Sequence, residues 1–257
     1  MNAFFSALSF LSILPGPMRR AFDARMVLYF PVVGLLLGGM LVAVDVIASW
    51  LFPPFLRAVV DVAFLAGITG ALHLDGLADS ADGLFSHRPR KEALAIMKDP
   101  RIGVMGAVTL VLCLALKIGA LHGLSGPMTW LWLVTAPTLA RSAQVIALTT
   151  MPDARGGAGM GAPLYASSKT PAFMGCALFL GLPFVFDVRI GVASVLVFAV
   201  VTTLVLIYFY RRIGGMTGDT FGALSELVET AILVAGAAFH HVSVSSGGFI
   251  LGKAISP

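Results

Sequence analysis

Seven apolar stretches leave this chain few architectures to choose from: 27–50, 54–73, 104–123, 129–150, 171–187, 190–210 and 226–246. A helix rises 1.5 Å per residue, so about 20 apolar residues cover the hydrocarbon core of a bilayer. These stretches are apolar all round, whereas a helix of a soluble bundle keeps a polar face. Only 12% of the residues are charged and 58% are hydrophobic, against about 25% charged in a soluble domain. The expected fold is an all-α, polytopic integral membrane bundle of about seven spans, a single domain over 1–257.

Met1 to Leu14 is apolar, lacks a basic segment before it and an A-x-A site after it, and is broken by Pro15-Gly16-Pro17. An interfacial or re-entrant helix fits it better than a signal peptide. Cys113 and Cys176 both fall in spans, so neither a disulfide framework nor a zinc site is indicated. Lys and Arg orient the chain. Arg19, Arg20, Arg25, Arg88, Arg90, Lys91, Lys98, Arg101, Arg155, Lys169, Arg211 and Arg212 fall on one side, against Arg57, Arg189 and Lys253 on the other. Twelve against three puts the first side in the cytoplasm. The formal net charge of +4 follows from these anchors and gives no reason to expect nucleic acid.

Against this background, His73-Leu-Asp-Gly-Leu-Ala-Asp-Ser-Ala-Asp-Gly83 stands out, because it holds three of only thirteen acidic residues. On a helix Asp79 lies about 40° and Asp82 about 20° from the meridian of Asp75. Three carboxylates on one face repel one another unless a cation joins them, and oxygen-only ligands suit Mg²⁺, Mn²⁺ or Ca²⁺. Gly76, Ala78, Ser80, Ala81 and Gly83 are small enough to let a bulky ligand reach the backbone. The pattern reads as a metal–phosphate site on the cytoplasmic edge.

Other polar islands lie on the same side. Arg88 to Ile96 reads as a short interfacial helix that Pro100 ends, followed by Lys98, Asp99 and Arg101 at headgroup depth. These cations either anchor the chain or clamp phosphate oxygens. Arg211 to Glu229 contains four glycines, with Thr217, Asp219, Glu226 and Glu229 as oxygen donors. Asp153 to Gly161 reads as a mobile glycine-rich turn carrying Arg155. Within spans, Lys117 and Arg141 require a buried partner or a ligand. His73 divides evenly between structural and functional roles, and Asp45 and Asp61 are expected to face each other or the interior.

Taken together, the segments 73–83, Ile96-Met-Lys-Asp-Pro-Arg-Ile-Gly103 and Gly214 to Glu229 resemble the cobalamin synthase family, the adenosylcobinamide-GDP ribazoletransferases. Phe30 to Gly38 and Gly159-Met-Gly161 are similar to further family stretches. Ser12-Ile13 and Pro100 depart from the usual pattern without touching the aspartates. The resemblance implies transfer of a cobinamide phosphate from adenosylcobinamide-GDP to α-ribazole or its 5′-phosphate, with release of GMP, in a bacterial inner membrane. It also implies Mg²⁺, with Mn²⁺ as a substitute. On this reading Asp75, Asp79 and Asp82 hold the metal, with Asp99 as a further ligand. Asp82 is the first choice of proton acceptor, ahead of Asp79 and His73. Lys98 and Arg101 bind the diphosphate with help from Arg141 and Arg155, while Thr217, Asp219, Glu226 and Glu229 complete the site. Compatible protein partners are a second copy or other cobalamin-assembly enzymes. Two other classes share part of the pattern. One is the CDP-alcohol phosphotransferases, although Asp82 stands where they have Ala-Arg. The other is cation-coupled transporters, although those place their sites near mid-membrane.

Overall fold

The computed structural model describes residues 2–16, 24–157, 164 and 169–253. They form ten α-helices: α1 Asn2–Leu11, α2 Phe30–Leu51, α3 Pro54–Ile68, α4 Leu72–Leu84, α5 Arg90–Ile96, α6 Val104–Gly123, α7 Thr129–Thr150, α8 Lys169–Phe186, α9 Val188–Ile213 and α10 Gly218–Lys253. A 3-10 segment, Ala24–Tyr29, leads into α2. Among the described residues there is no strand, only one parallel bridge between Asp153 and Met216. Arg19, Arg20 and Gly159 to Gly161 lie outside the described residues.

Five helical stretches are long and apolar enough to cross a membrane: Ala24–Leu51, Val104–Gly123, Thr129–Thr150, Val188–Ile213 and Gly218–Ser245. The pair α3 and α4 would make a sixth, but is bent by 88°. Gly175–Phe186 of α8 is apolar but shorter. The expected span 54–73 is therefore cut at Ile68, and the expected span from 226 begins eight residues earlier, at Gly218. The cut has a local cause. Ala71 N–H bonds to Ala66 C=O and Gly70 N–H to Gly67 C=O, with Gly70 at φ 60°. This is a Schellman end, which a glycine in the left-handed region permits at little cost.

α7 forms the centre, packed by α2, α8 and α10, with Leu131, Leu133, Leu139 and Leu148 buried. Close approach of α2 requires Gly34 and Gly38. A Cβ there would come to 2.6 Å from the Pro137 carbonyl and 2.7 Å from Val134 Cα. Small residues that let backbones touch are a main source of helix association where lipid removes the hydrophobic drive. On the outside, Val104, Val108, Val111 and Leu112 of α6 and Leu196, Val200 and Leu204 of α9 are exposed. Such a girdle is what a bilayer covers. The N-terminal helix α1 packs on the 3-10 segment and α2, burying Ala7, Leu8 and Leu11.

Candidate active site

The aspartates of α4 do share one side of that helix. Asp75 is exposed, Asp79 and Asp82 are half-buried, and the opposite side of α4 is buried on α6 and α10. α4 has thirteen residues, too few to cross a bilayer alone, and turns 88° away from α3. The small residues between the aspartates do not leave ligand space. A Cβ on Gly76 would meet the Asp219 carbonyl at 2.6 Å, and one on Gly83 would meet Met97 at 2.5 Å. Ala78, Ser80 and Ala81 are buried as well. Their small size serves helix packing, because α4 is wedged between α5, α6 and α10.

Each carboxylate has a different environment. Asp82 accepts the N–H of Gly103 at 2.7 Å and of Gly106 at 2.8 Å. These amides open α6, where a helix leaves N–H groups unpaired and its dipole favours an anion. Asp82 thus caps α6 from a neighbouring helix, with both oxygens already accepting. A Cβ on Gly103 or Gly106 would lie 2.4 Å from that carboxylate, so both glycines are needed. Asp79 has no such donors. Burial first, then the charges of Asp75, Asp219 and Asp82, hold its carboxyl up at about 6, while Arg155 pulls the other way. Asp79 is therefore better placed than Asp82 to accept a proton.

Asp219 arrives from the first turn of α10. The Thr217 hydroxyl accepts the Thr220 N–H at 3.2 Å and the Thr220 hydroxyl accepts the Thr217 N–H at 2.7 Å, a reciprocal cap that fixes where the helix starts. Gly222 lies on His73 as Gly76 lies on Asp219, with a would-be Cβ 3.0 Å from the His73 backbone. This crossing of two glycines sets Asp219 beside the α4 aspartates. Arg155 Nη2 donates to Asp219 at 2.8 Å. The turn that carries Arg155 is tied down over its described part. Asp153 accepts the N–H of Arg155 and Gly157, Ala154 N–H bonds to Met216 C=O, and Met216 N–H to Pro152 C=O. Sequence reasoning treats this turn as mobile and misses Arg90, which donates to Ala154 C=O at 3.0 Å. It also misses Arg212, which donates to Leu84 C=O at 3.1 Å. A count of charges offers no hint of either, since both partners are backbone carbonyls.

Asp99 and Arg101 pair with each other at 2.6 Å in the turn after α5. The Arg101 side chain is 86% exposed. Hydrogen bonds from Arg101 hold the Asp99 carboxyl down at about 2. Lys98 is exposed beside them. The structure brings these three together, yet shows no bond between Asp99 and the α4 aspartates.

Arg141, Glu226 and Glu229 are brought together inside the bundle. Lys117 Nζ reaches Glu226 at 2.6 Å and Glu229 at 2.7 Å, and Arg141 reaches Glu229 at 2.5 Å. Two cations and two anions balance, which answers the need of Lys117 and Arg141 for buried partners. Arg141 Nη2 lies 3.3 Å from His73 Nδ1. An arginine only donates, so Nδ1 accepts, and the other ring nitrogen, Nε2, lies 3.3 Å from Gln144 Nε2. His73 is buried in this network, on the side of α4 away from the aspartates. Lys117, Arg141, Glu226 and Glu229 are buried with it. A separate pair, Asp45 of α2 and Asp61 at the middle of α3, meets away from this network, with Arg57 bound to Asp45.

Among the described residues no three His, Cys, Asp or Glu side chains converge into a ready coordination shell. The donor chemistry nevertheless fits a hard divalent ion. Mg²⁺ commonly takes one or two carboxylates and fills the rest of its shell with water and substrate phosphate. Asp75, Asp79 and Asp219 are the carboxylates in question.

Fold and site define a polytopic helical membrane protein with an acidic, arginine-flanked site at one rim. The chain matches the cobalamin-5-phosphate synthase family over residues 3–237 and belongs to it. It is similar to the adenosylcobinamide-GDP ribazoletransferase of Desulforamulus reducens, 37% identical over 88% of this chain and 92% of the relative. The enzyme of the same name from Roseiflexus sp. is 39% identical over 88% and 86%. That from Herpetosiphon aurantiacus is 38% identical over 90% and 94%. No solved structure matches.

Proposed function

We propose that the protein transfers the adenosylcobinamide phosphate group from adenosylcobinamide-GDP to α-ribazole or its 5′-phosphate, releasing GMP. Family membership supports the reaction. The observation that carries it on this chain is the meeting of Asp75 and Asp79 with Asp219 beside Arg155. A ribose hydroxyl of the acceptor attacks the cobinamide-linked phosphorus. The new O–P bond forms as the bond to the bridging oxygen breaks, and that oxygen leaves on GMP. Asp79 takes the hydroxyl proton, because its oxygens are not committed to amides as those of Asp82 are. Arg155 supports charge on the transferring group, and Lys98 and Arg101 are exposed at the same rim for the diphosphate. Asp75, Asp79 and Asp219 would hold Mg²⁺ or Mn²⁺, which when bound neutralises diphosphate charge. Asp82, His73, Arg141, Glu226 and Glu229 act by placing these groups.

The site faces the cytoplasm from a bacterial inner membrane on this reading, in keeping with the Lys and Arg asymmetry. The testing experiment is GMP release by purified protein supplied with adenosylcobinamide-GDP and α-ribazole, with CDP-diacylglycerol as competing donor. Release of GMP only when both proper substrates are present is expected. Turnover of the CDP donor instead would overturn the assignment.

A further inference from the structure

A cavity of about 250 Å³ lies between α4, α9 and α10, with apolar walls: Leu77 and Leu84 of α4, Leu204 and Phe209 of α9, and Leu227 of α10. A dry apolar cavity of about 150 Å³ already takes a small apolar molecule. Leu204 belongs to the exposed girdle of α9, and the exposed rings of Phe85 and Tyr208 flank the same cavity with their centres 6.4 Å apart. Its mouth therefore opens on the surface that the bilayer covers. Two polar groups there lack protein partners among the described residues. Ser80 lines the cavity, is 2% exposed, and its hydroxyl has no hydrogen-bond partner. A serine inside a helix commonly bonds back one turn, as Ser142 does to the Thr138 carbonyl at 3.0 Å; Ser80 does not. At the edge of the cavity, half-buried Arg212 donates through Nε to the Leu84 carbonyl at 3.1 Å, and no bond or ion pair engages its two Nη groups.

We propose that this cavity holds one glycerophospholipid of the bilayer, with an acyl chain between α4 and α9, an ester carbonyl accepting from the Ser80 hydroxyl, and the phosphodiester on the Nη groups of Arg212. The three contacts fall in the order of the lipid's own parts. Ser80 is one helical turn from Leu84, about 6 Å along α4, so the ester contact lies between the apolar walls and the arginine. A free phosphate would use Arg212 but neither the cavity nor Ser80, and an apolar ring would fill the cavity without needing Arg212. The α4 wall, formed by Leu77, Ser80 and Leu84, is the side of that helix turned away from the aspartates. The site is therefore separate from the acidic one and does not depend on the reaction proposed above.

Phosphatidylglycerol with a photoreactive diazirine in one acyl chain tests this on the purified full chain, with cross-links mapped by mass spectrometry. Wild type should be labelled on Leu77 to Phe85 and Leu204 to Phe209 in preference to the exposed face of α6. Labelling spread evenly over the girdle would overturn the proposal. Diacylglycerol bearing the same chain but no phosphate should label the cavity at least about tenfold less, for want of the charge-assisted bonds to Arg212. Equal labelling by the two lipids would mean an apolar crevice only, which also overturns it; this comparison needs no variant. Folded Arg212→Gln should lose at least about tenfold in phosphatidylglycerol labelling, and Ser80→Ala about threefold, the worth of one neutral hydrogen bond. A serine there for packing alone would lose nothing on becoming alanine, so unchanged labelling of either folded variant would overturn the assignment. Displacement of the lipid by α-ribazole would give the cavity to that compound's apolar base and overturn it as well.

Discussion

Asp79 and Asp82 are three residues apart and chemically alike, yet their surroundings give them opposite energetic signs. The Asp79 carboxyl is held at about 6, above the ordinary carboxylate value of 3.8. The folded protein therefore binds more protons there than the unfolded chain between those two values, and stability increases as pH falls through 6. At neutral pH the charged group costs stability, a common mark of a functional site. Asp79→Asn should accordingly raise the thermal unfolding midpoint at pH 7.5 in chelator, with a smaller gain at pH 5, while turnover drops about a hundredfold. A lower midpoint at pH 7.5 would mean that Asp79 is structural. Asp82→Asn should do the reverse, losing about 1–3 kcal/mol of stability, because an amide can accept from only one of the Gly103 and Gly106 N–H groups and opposes the other. Thermal unfolding of the two variants side by side separates the roles.

Between elements, the distance from α4 to α10 decides whether Asp79 and Asp219 act on one substrate. Gly76→Ala removes a poor helix former and, by propensity alone, should stabilise α4 by up to about 1 kcal/mol. Its methyl group would instead meet the Asp219 carbonyl at 2.6 Å, backbone against side chain, and the helices must part. Turnover of folded, helical Gly76→Ala should fall about a hundredfold, the scale of an ångström of misplacement. Near-normal turnover with unchanged circular dichroism would show that the crossing does not set the geometry. The α4 register is legible in the sequence, since a period of 3.6 residues leaves the three aspartates no other face. The need of Lys117 and Arg141 for partners is legible too, from the cost of a bare charge in a bilayer. The identity of partners is not: Asp82 meets amides that begin a helix 21 residues on, and Lys117 meets Glu226 across 109 residues. Such pairings depend on how helices pack, for which hydropathy carries no signal. The same gap explains why small residues on α4 read as ligand space when they are packing surface.

At the scale of the whole molecule, the rim must face the compartment that holds soluble substrates. The groups assigned to the reaction come from α4, the turns after α5 and α7 and the first turn of α10, while the Asp45–Arg57 pair and the Ser125–His240 contact lie away from them. The Lys and Arg asymmetry of the sequence predicts that the acidic side faces the cytoplasm, because basic segments resist translocation. His87 is exposed in the turn between α4 and α5 and Ser125 between α6 and α7; the predicted orientation sets them on opposite sides of the membrane. The native Cys113 and Cys176 are buried, so single introduced cysteines report cleanly. In intact cells, Ser125→Cys should react with a membrane-impermeant maleimide and His87→Cys should not. After permeabilisation His87→Cys should react as well. Labelling of His87→Cys alone in intact cells would reverse the orientation and leave the acidic rim without access to a cytoplasmic nucleoside diphosphate donor.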